Sequence, residues 1–248
     1  MDRLVYTSLS AMRSLMQRQA VTANNLANVN TVGFRGDLAD SEAVYVGSGN
    51  GVSARAQSAQ LNESADMKGG ASTETGRDLD VSLNNDALLA VQATDGGEAY
   101  TRRGDLQLTD SGLLTTGDGL PVMGDSGPIT LPPADKVTID KTGAISIVPQ
   151  GGDPNAPQTV GQLKLVSATG SKIAKGEDGL FHVANGGTLP SDPLARVSTG
   201  ALEGSNVNVT KTLTDMIDAS RAYETQVKML SGAKEMDTSS AELMNVAD

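Results

Sequence analysis

The chain of 248 residues has no cysteine, no tryptophan and a single histidine. Without cysteine there is no disulfide framework, no thiolate nucleophile and no cysteine-ligated zinc. His182 has no second imidazole with which to share a metal. In "GLFHVANGG" it alternates with apolar neighbours on an expected strand, where a satisfied or solvated side chain is the ordinary outcome. Aromatics make up only 2% of the chain, so a core must be built from Leu, Val, Ile, Met and Ala. No run of 18 apolar residues occurs, which removes membrane insertion from the expectations. The first 20 residues also lack the apolar stretch and small-residue cleavage site of a secretory signal. Cations are outnumbered 19 to 30 by carboxylates, and the net charge of −11 speaks against nucleic acid as a partner.

Motifs of chemistry are equally scarce. "GSGNGV", Gly47 to Val52, fails the dinucleotide fingerprint because Val52 stands at the third glycine position. "ATGSK", Ala168 to Lys172, ends like a phosphate loop, but Leu165 occupies the position of its first glycine. Both read as turns. Asp95, Asp110, Asp118, Asp125, Asp140 and Asp178 sit in turn contexts without the spacing of a calcium loop. No catalytic residue, cofactor site or metal site is indicated, and an enzyme has no positive support.

What is present is organised by periodicity. Val5, Leu9, Met12, Met16, Ala23 and Leu26 recur in alternating steps of four and three, with Gln19 as a polar interruption. This is a heptad seam on a helix of roughly 40 Å, which needs a partner to bury it. Near the other end Val209, Leu213, Met216, Ser220, Tyr223, Val227 and Leu230 repeat the alternation. The stripe then drifts by one residue through Ala233, Met236, Ser240 and Leu243. Asn208 stands where an N-cap belongs. The two seams suit either a hairpin inside one chain or contacts with neighbouring copies, and periodicity does not separate these.

Between the helices, Asp-Gly and Asn-Gly turn signals separate short apolar runs such as Ala87–Ala93, Val137–Ile139, Ala144–Val148 and Gln162–Ser167. Gly151–Pro157 reads as a surface loop. The expected fold class is therefore α+β: long N- and C-terminal helices pair as a coiled-coil layer, with a central antiparallel β-rich domain. The expected division is 1–36 for the first helix and its corner, 37–80 for an irregular extended linker, 81–200 for the β domain and 201–248 for the last helix.

The corner after the first helix, "ANNLANVNTVGFR", is dense in asparagines that compete for backbone hydrogen bonds. It resembles the N-terminal signature of bacterial flagellar axial proteins, the rod and hook components, which reads A-N-N-[LI]-A-N-x-x-T-x-G-[FY]-[KR]. Ala23, Asn24, Asn25, Leu26, Ala27, Asn28, Thr31, Gly33, Phe34 and Arg35 all fit. "SNVNVTKTLTDMIDASRAYETQVKML", Ser205 to Leu230, resembles the closing motif of the same family, with Ser220 in place of the usual Gln. The central segment around "LDVSLNNDALLAVQATDGGEAYTRRGD" is also similar, although Leu88 and Leu89 replace a usual Phe-Phe pair. The opening residues and the length are most similar to proximal rod members, with distal rod members close behind.

The resemblance implies a structural subunit with no cofactor. It would be exported without cleavage by the flagellar export apparatus and would assemble with other rod subunits into a helical tube across the periplasm. It further implies that Val5, Leu9, Met12, Met16, Leu213, Met216, Tyr223, Val227 and Leu230 line an inner coiled-coil layer. The signature residues would form an assembly corner, with Phe34 in an apolar socket. A secreted β-rich enzyme or adhesin, whose terminal helices form only its own hairpin, is the alternative of a different class.

Overall fold

The computed structural model describes residues 2–45, 56–153, 156–184 and 186–245. Helix α1 spans Asp2–Ala27 and α2 spans Val209–Asn245. Between them run β1 Asp37–Tyr45, β2 Ala56–Ala65, β3 Ser72–Glu74, β4 Val81–Leu83, β5 Ala87–Gln92 and β6 Glu98–Thr101. There follow β7 Leu106–Leu108, β8 Leu114–Thr116, β9 Met123–Gly124, β10 Gly127–Pro128, β11 Ala134–Ile139 and β12 Ala144–Pro149. The series closes with β13 Gln158–Gln162, β14 Leu165–Ser167, β15 Ile173–Lys175, β16 Phe181–Val183, β17 Val197–Thr199 and β18 Ala201–Glu203. The chain divides into a helical unit, residues 1–27, 37–64 and 208–248, and a β unit, residues 28–36 and 65–207.

In the helical unit α1 and α2 pack against each other, and β1 pairs with β2. Asn208 caps α2: its Oδ1 accepts from the Lys211 amide at 3.0 Å and its carbonyl from the Thr212 amide at 2.9 Å. The less exposed positions of α2 include Thr212, Met216, Ala219, Tyr223, Gln226, Leu230 and Ala233, again in steps of four and three. Those of α1 include Ser8, Met12, Leu15, Gln19, Thr22 and Leu26. The stripe sheltered within the chain is thus displaced by one residue from half of the expected seam.

Met12, Met216, Tyr223 and Leu230 lie on this stripe, half-buried, whereas Val5, Leu9, Met16, Leu213 and Val227 are exposed. The physical reason is side-chain size. Among the described side chains of the helices, Ser8, Thr22, Thr212, Ala219 and Ala233 are the buried ones, and small groups allow closer approach than large ones. The two buried threonines satisfy their hydroxyls on the carbonyls of Arg18 and Asn208, each at 2.8 Å. Leu243 and "GSGNGV" lie outside the described side chains.

The β unit is built from antiparallel pairs. Its five-stranded sheet has the order β14-β5-β6-β16-β15, and β11-β12-β13 form a three-stranded one. β5 has both faces covered, so its apolar run is continuous instead of alternating. Leu89 and Val91 enter the larger core with Leu106, Leu114, Val122 and Ile145, while Leu88 and Ala90 enter a smaller one with Tyr100, Val166 and Phe181. Leu88 and Leu89 are both fully buried, one in each core.

Two spans differ from expectation. Gln162–Ser167 is not one strand: the Leu163 amide bonds Gly143 O at 2.8 Å and the Lys164 amide bonds Met123 O at 3.0 Å, where the chain leaves β13 for β14. The stretch 37–80 is not uniformly irregular, since it carries β1, β2 and β3. Its strands are rich in Ala, Ser and Asp, residues that give little β signal. Ala168–Lys172 forms a turn closed by the Ser171 amide on Ala168 O at 3.0 Å.

Candidate assembly corner

Helix α1 ends at Ala27, so Ala23, Asn24, Asn25, Leu26 and Ala27 occupy its last turns. Asn25 acts as a surrogate peptide group. Its Nδ2 donates to Asp37 O and its Oδ1 accepts from the Asp37 amide, both at 2.8 Å. A side-chain amide carries one donor face and one acceptor face, the set a strand residue needs, so it can pair the first residue of β1.

From Asn28 the chain belongs to the β unit. The Asn28 carbonyl accepts from the Thr31 amide at 3.1 Å, and Thr31 Oγ1 donates to Asn28 Oδ1 at 3.1 Å. The Phe34 amide then bonds Thr31 O at 3.3 Å. Gly33 stands between these turns at φ +67°, in the left-handed region. Its amide donates to Glu203 O at 2.7 Å. A Cβ there would lie 2.4 Å from the Arg102 carbonyl, so conformation and space both require glycine.

Arg35 carries a buried charge into the corner. It is 1% exposed, and its Nη2 donates to Glu203 Oε1 at 2.8 Å. Glu203 Oε1 also accepts the Gly70 amide at 2.9 Å, while Oε2 accepts Arg102 Nη2 at 2.6 Å and Arg102 Nε at 3.0 Å. Arg102 spends its remaining donors on the carbonyls of Asn85, Ala87 and Leu83. Two buried guanidiniums therefore share one carboxylate. Burial pushes the Arg102 guanidinium below its ordinary value; Glu203 opposes that shift and Arg35 adds to it. Asn206 closes the other side, with Oδ1 accepting the Gly36 amide at 2.8 Å and Nδ2 donating to Asp66 O and Lys68 O at 2.8 and 3.0 Å.

Phe34 is half-buried, and its ring carries the Lys175 ammonium 3.9 Å from the centroid. A cation–π contact is thus one of the ring's contacts. The same Lys175 Nζ donates to Arg35 O at 2.8 Å. Arg35 is a buried charge of the β unit.

Sequence reading found the corner but missed its supports, Arg102, Glu203 and Asn206. Only Asn206 left a signal, as part of "SNVN". An acidic residue 168 positions from its arginine leaves none.

Residues 5–35, which hold most of α1 and all of Ala23–Arg35, match the family described as flagella basal body rod protein. Residues 82–147 match the D1 domain of the flagellar hook protein FlgE/F/G family, and residues 198–243 match the C-terminal family of flagellar basal body rod FlgEFG proteins. Over 253 aligned residues the chain is 40% identical to the flagellar basal-body rod protein FlgF of Salmonella typhimurium, covering 100% of both. The chain belongs to the flagellar basal-body rod protein family. Against FlgF of Escherichia coli K12 the identity is 43% over 237 residues, 93% of this rod protein and 94% of that one. The rod protein FlgG of Bacillus subtilis is 30% identical over 259 residues, covering 95% and 97%.

The corner is therefore part of a structural rod protein and not of an enzyme. Its residues supply backbone geometry and buried charge pairing. The helical segments on both sides of the β unit fall within two of the matched families.

Proposed function

We propose that this rod subunit joins other axial subunits through large apolar side chains that its own helix pair leaves uncovered. Val5, Leu9 and Met16 on α1, and Leu213, Ile217 and Val227 on α2, are each more than 40% exposed. That observation carries the reading, because large apolar side chains repeated along two packed helices and left in water are suited to a partner. Copies joined head to tail by contacts that do not close generate a helical tube. Such a tube would transmit torque across the periplasm. The greater identity to the two FlgF chains than to the FlgG chain favours the proximal segment. Passage through the flagellar export apparatus without cleavage belongs to the same proposal, as does the role of Ala23–Arg35 as an assembly corner.

The test is mass spectrometry of purified basal bodies, with electron microscopy of an epitope-tagged copy along the axis. Label on the proximal rod supports the proposal. Label nearer the hook would move the subunit to a different segment, and absence from complete basal bodies would refute the assembly reading.

A further inference from the structure

Arg102 and Arg35 hold the same carboxylate but are not equivalent. Arg102 has every donor group engaged, on Glu203 and three backbone carbonyls. Arg35 makes one side-chain bond, and its Nε and Nη1 are buried without an acceptor. Both oxygens of Glu203 are already occupied by the two arginines and the Gly70 amide. Bulk water satisfies such donors once the corner opens. Like charge between the two guanidiniums works in the same direction.

We propose that Arg35 is a release device, which holds residues 28–36 in a seated state that opens while the rest of the β unit stays folded. The Arg102–Glu203 pair is the permanent half of this clasp and Arg35 the detachable half. Opening returns the idle donors of Arg35 to water and leaves Arg102 and Glu203 as a balanced one-to-one pair. Two backbone amides report the event. Those of Gly33 and Gly36 bond Glu203 O and Asn206 Oδ1 across the clasp, whereas the amide of Ala90 bonds Lys164 O inside the five-stranded sheet. Lys175, with its ammonium on Phe34 and Arg35 O, closes over the seated form. The inference concerns the single chain and does not depend on how rod subunits meet.

Native-state hydrogen exchange on the full chain tests it. Gly33 and Gly36 are expected to exchange together, about tenfold or more faster than Ala90. In Arg35→Met, which keeps length and removes the second guanidinium with its idle donors, exchange at these two glycines should slow by about tenfold. Arg102→Met should instead speed exchange at Ala90 as well, because it strands three carbonyls and leaves Arg35 with Glu203 alone. Faster exchange of Gly33 and Gly36 in Arg35→Met would overturn the proposal, since Arg35 would then be what holds the corner shut. Should that variant fail to fold, the unaltered chain still decides: equal exchange at Gly33, Gly36 and Ala90 refutes a separable corner.

Discussion

The Asn25 side chain and the Asp37 backbone face each other as two strand residues would, with one hydrogen bond in each direction at 2.8 Å. They are twelve positions apart in the chain, and this one amide fixes where β1 begins. Replacement by alanine removes both bonds, while aspartate keeps only an acceptor. Exchange of the Asp37 amide should rise by about tenfold in Asn25→Ala, corresponding to the loss of one ordinary hydrogen bond. Asn25→Asp should restore protection of that amide, yet remain less stable than the parent because its carboxylate faces the Asp37 carbonyl. Equal protection in all three chains would show that the pair does no positioning.

A methyl group at Gly33 would meet two obstacles together. The backbone sits at φ +67°, and the added carbon would lie 2.4 Å from the carbonyl carbon and oxygen of Arg102. Gly33→Ala should destabilise the seated corner by about 2 kcal/mol or more. Gly96, also at positive φ, has open space around its missing Cβ, so Gly96→Ala bears the conformational cost alone, about 1 kcal/mol. Urea unfolding of the two variants measures the difference directly. A smaller loss at Gly33 than at Gly96 would contradict the close packing on Arg102.

These positions mark how far sequence reading reached. The α+β plan, the capped start of α2 and the corner itself were legible, because capping, turn chemistry and heptad spacing act over a few residues. Asn208 is such a case, since its partner Lys211 lies three positions on. Glu203 is the opposite case: its partners Arg35 and Arg102 are 168 and 101 positions away, and a lone Glu on a short strand gives no warning. The helix stripe sheltered within the chain shares Met12, Met216, Tyr223 and Leu230 with the expected seam, but not the residues between them. Apolar residues such as Leu15 and Met16 stand side by side on α1, so spacing alone admits two registers one residue apart. Size settles the sheltered one, through Ser8, Thr22, Ala219 and Ala233.

Tyr100 ties stability to alkaline pH. Fully buried, it donates to Glu98 Oε1 at 2.9 Å and accepts from the Leu189 amide at 2.5 Å. Burial pushes its phenol up to about 12, from an ordinary value of 10.0. The folded state thus favours the neutral phenol, so this stabilisation is complete below pH 10 and is lost as the pH rises toward 12. The loss should be of the order of 2–3 kcal/mol at its limit. Tyr100→Phe should be less stable than the parent at pH 8, having left the Leu189 amide without its acceptor, but should decline less between pH 10 and 12. Parallel decline of both chains over that interval would remove Tyr100 as the cause.

Leu213 and Ala219 lie on the same helix and separate folding from assembly. Leu213 is 44% exposed, and Ala219 is 6% exposed on the sheltered stripe. An aspartate at 213 meets water in the isolated chain, so Leu213→Asp should change unfolding free energy by no more than about 0.5 kcal/mol. An aspartate at 219 is driven into the packed stripe and should cost several times as much, through overpacking and burial of an unpaired charge. If exposed apolar side chains are the surface by which the rod assembles, Leu213→Asp should nevertheless abolish swimming when it replaces the native chain. Measured together, circular dichroism melting and motility in soft agar give four possible pairings for the two variants. A stable, non-motile Leu213→Asp beside a destabilised Ala219→Asp is the expected one. A stable Leu213→Asp that swims normally would locate the assembly surface away from this face of α2.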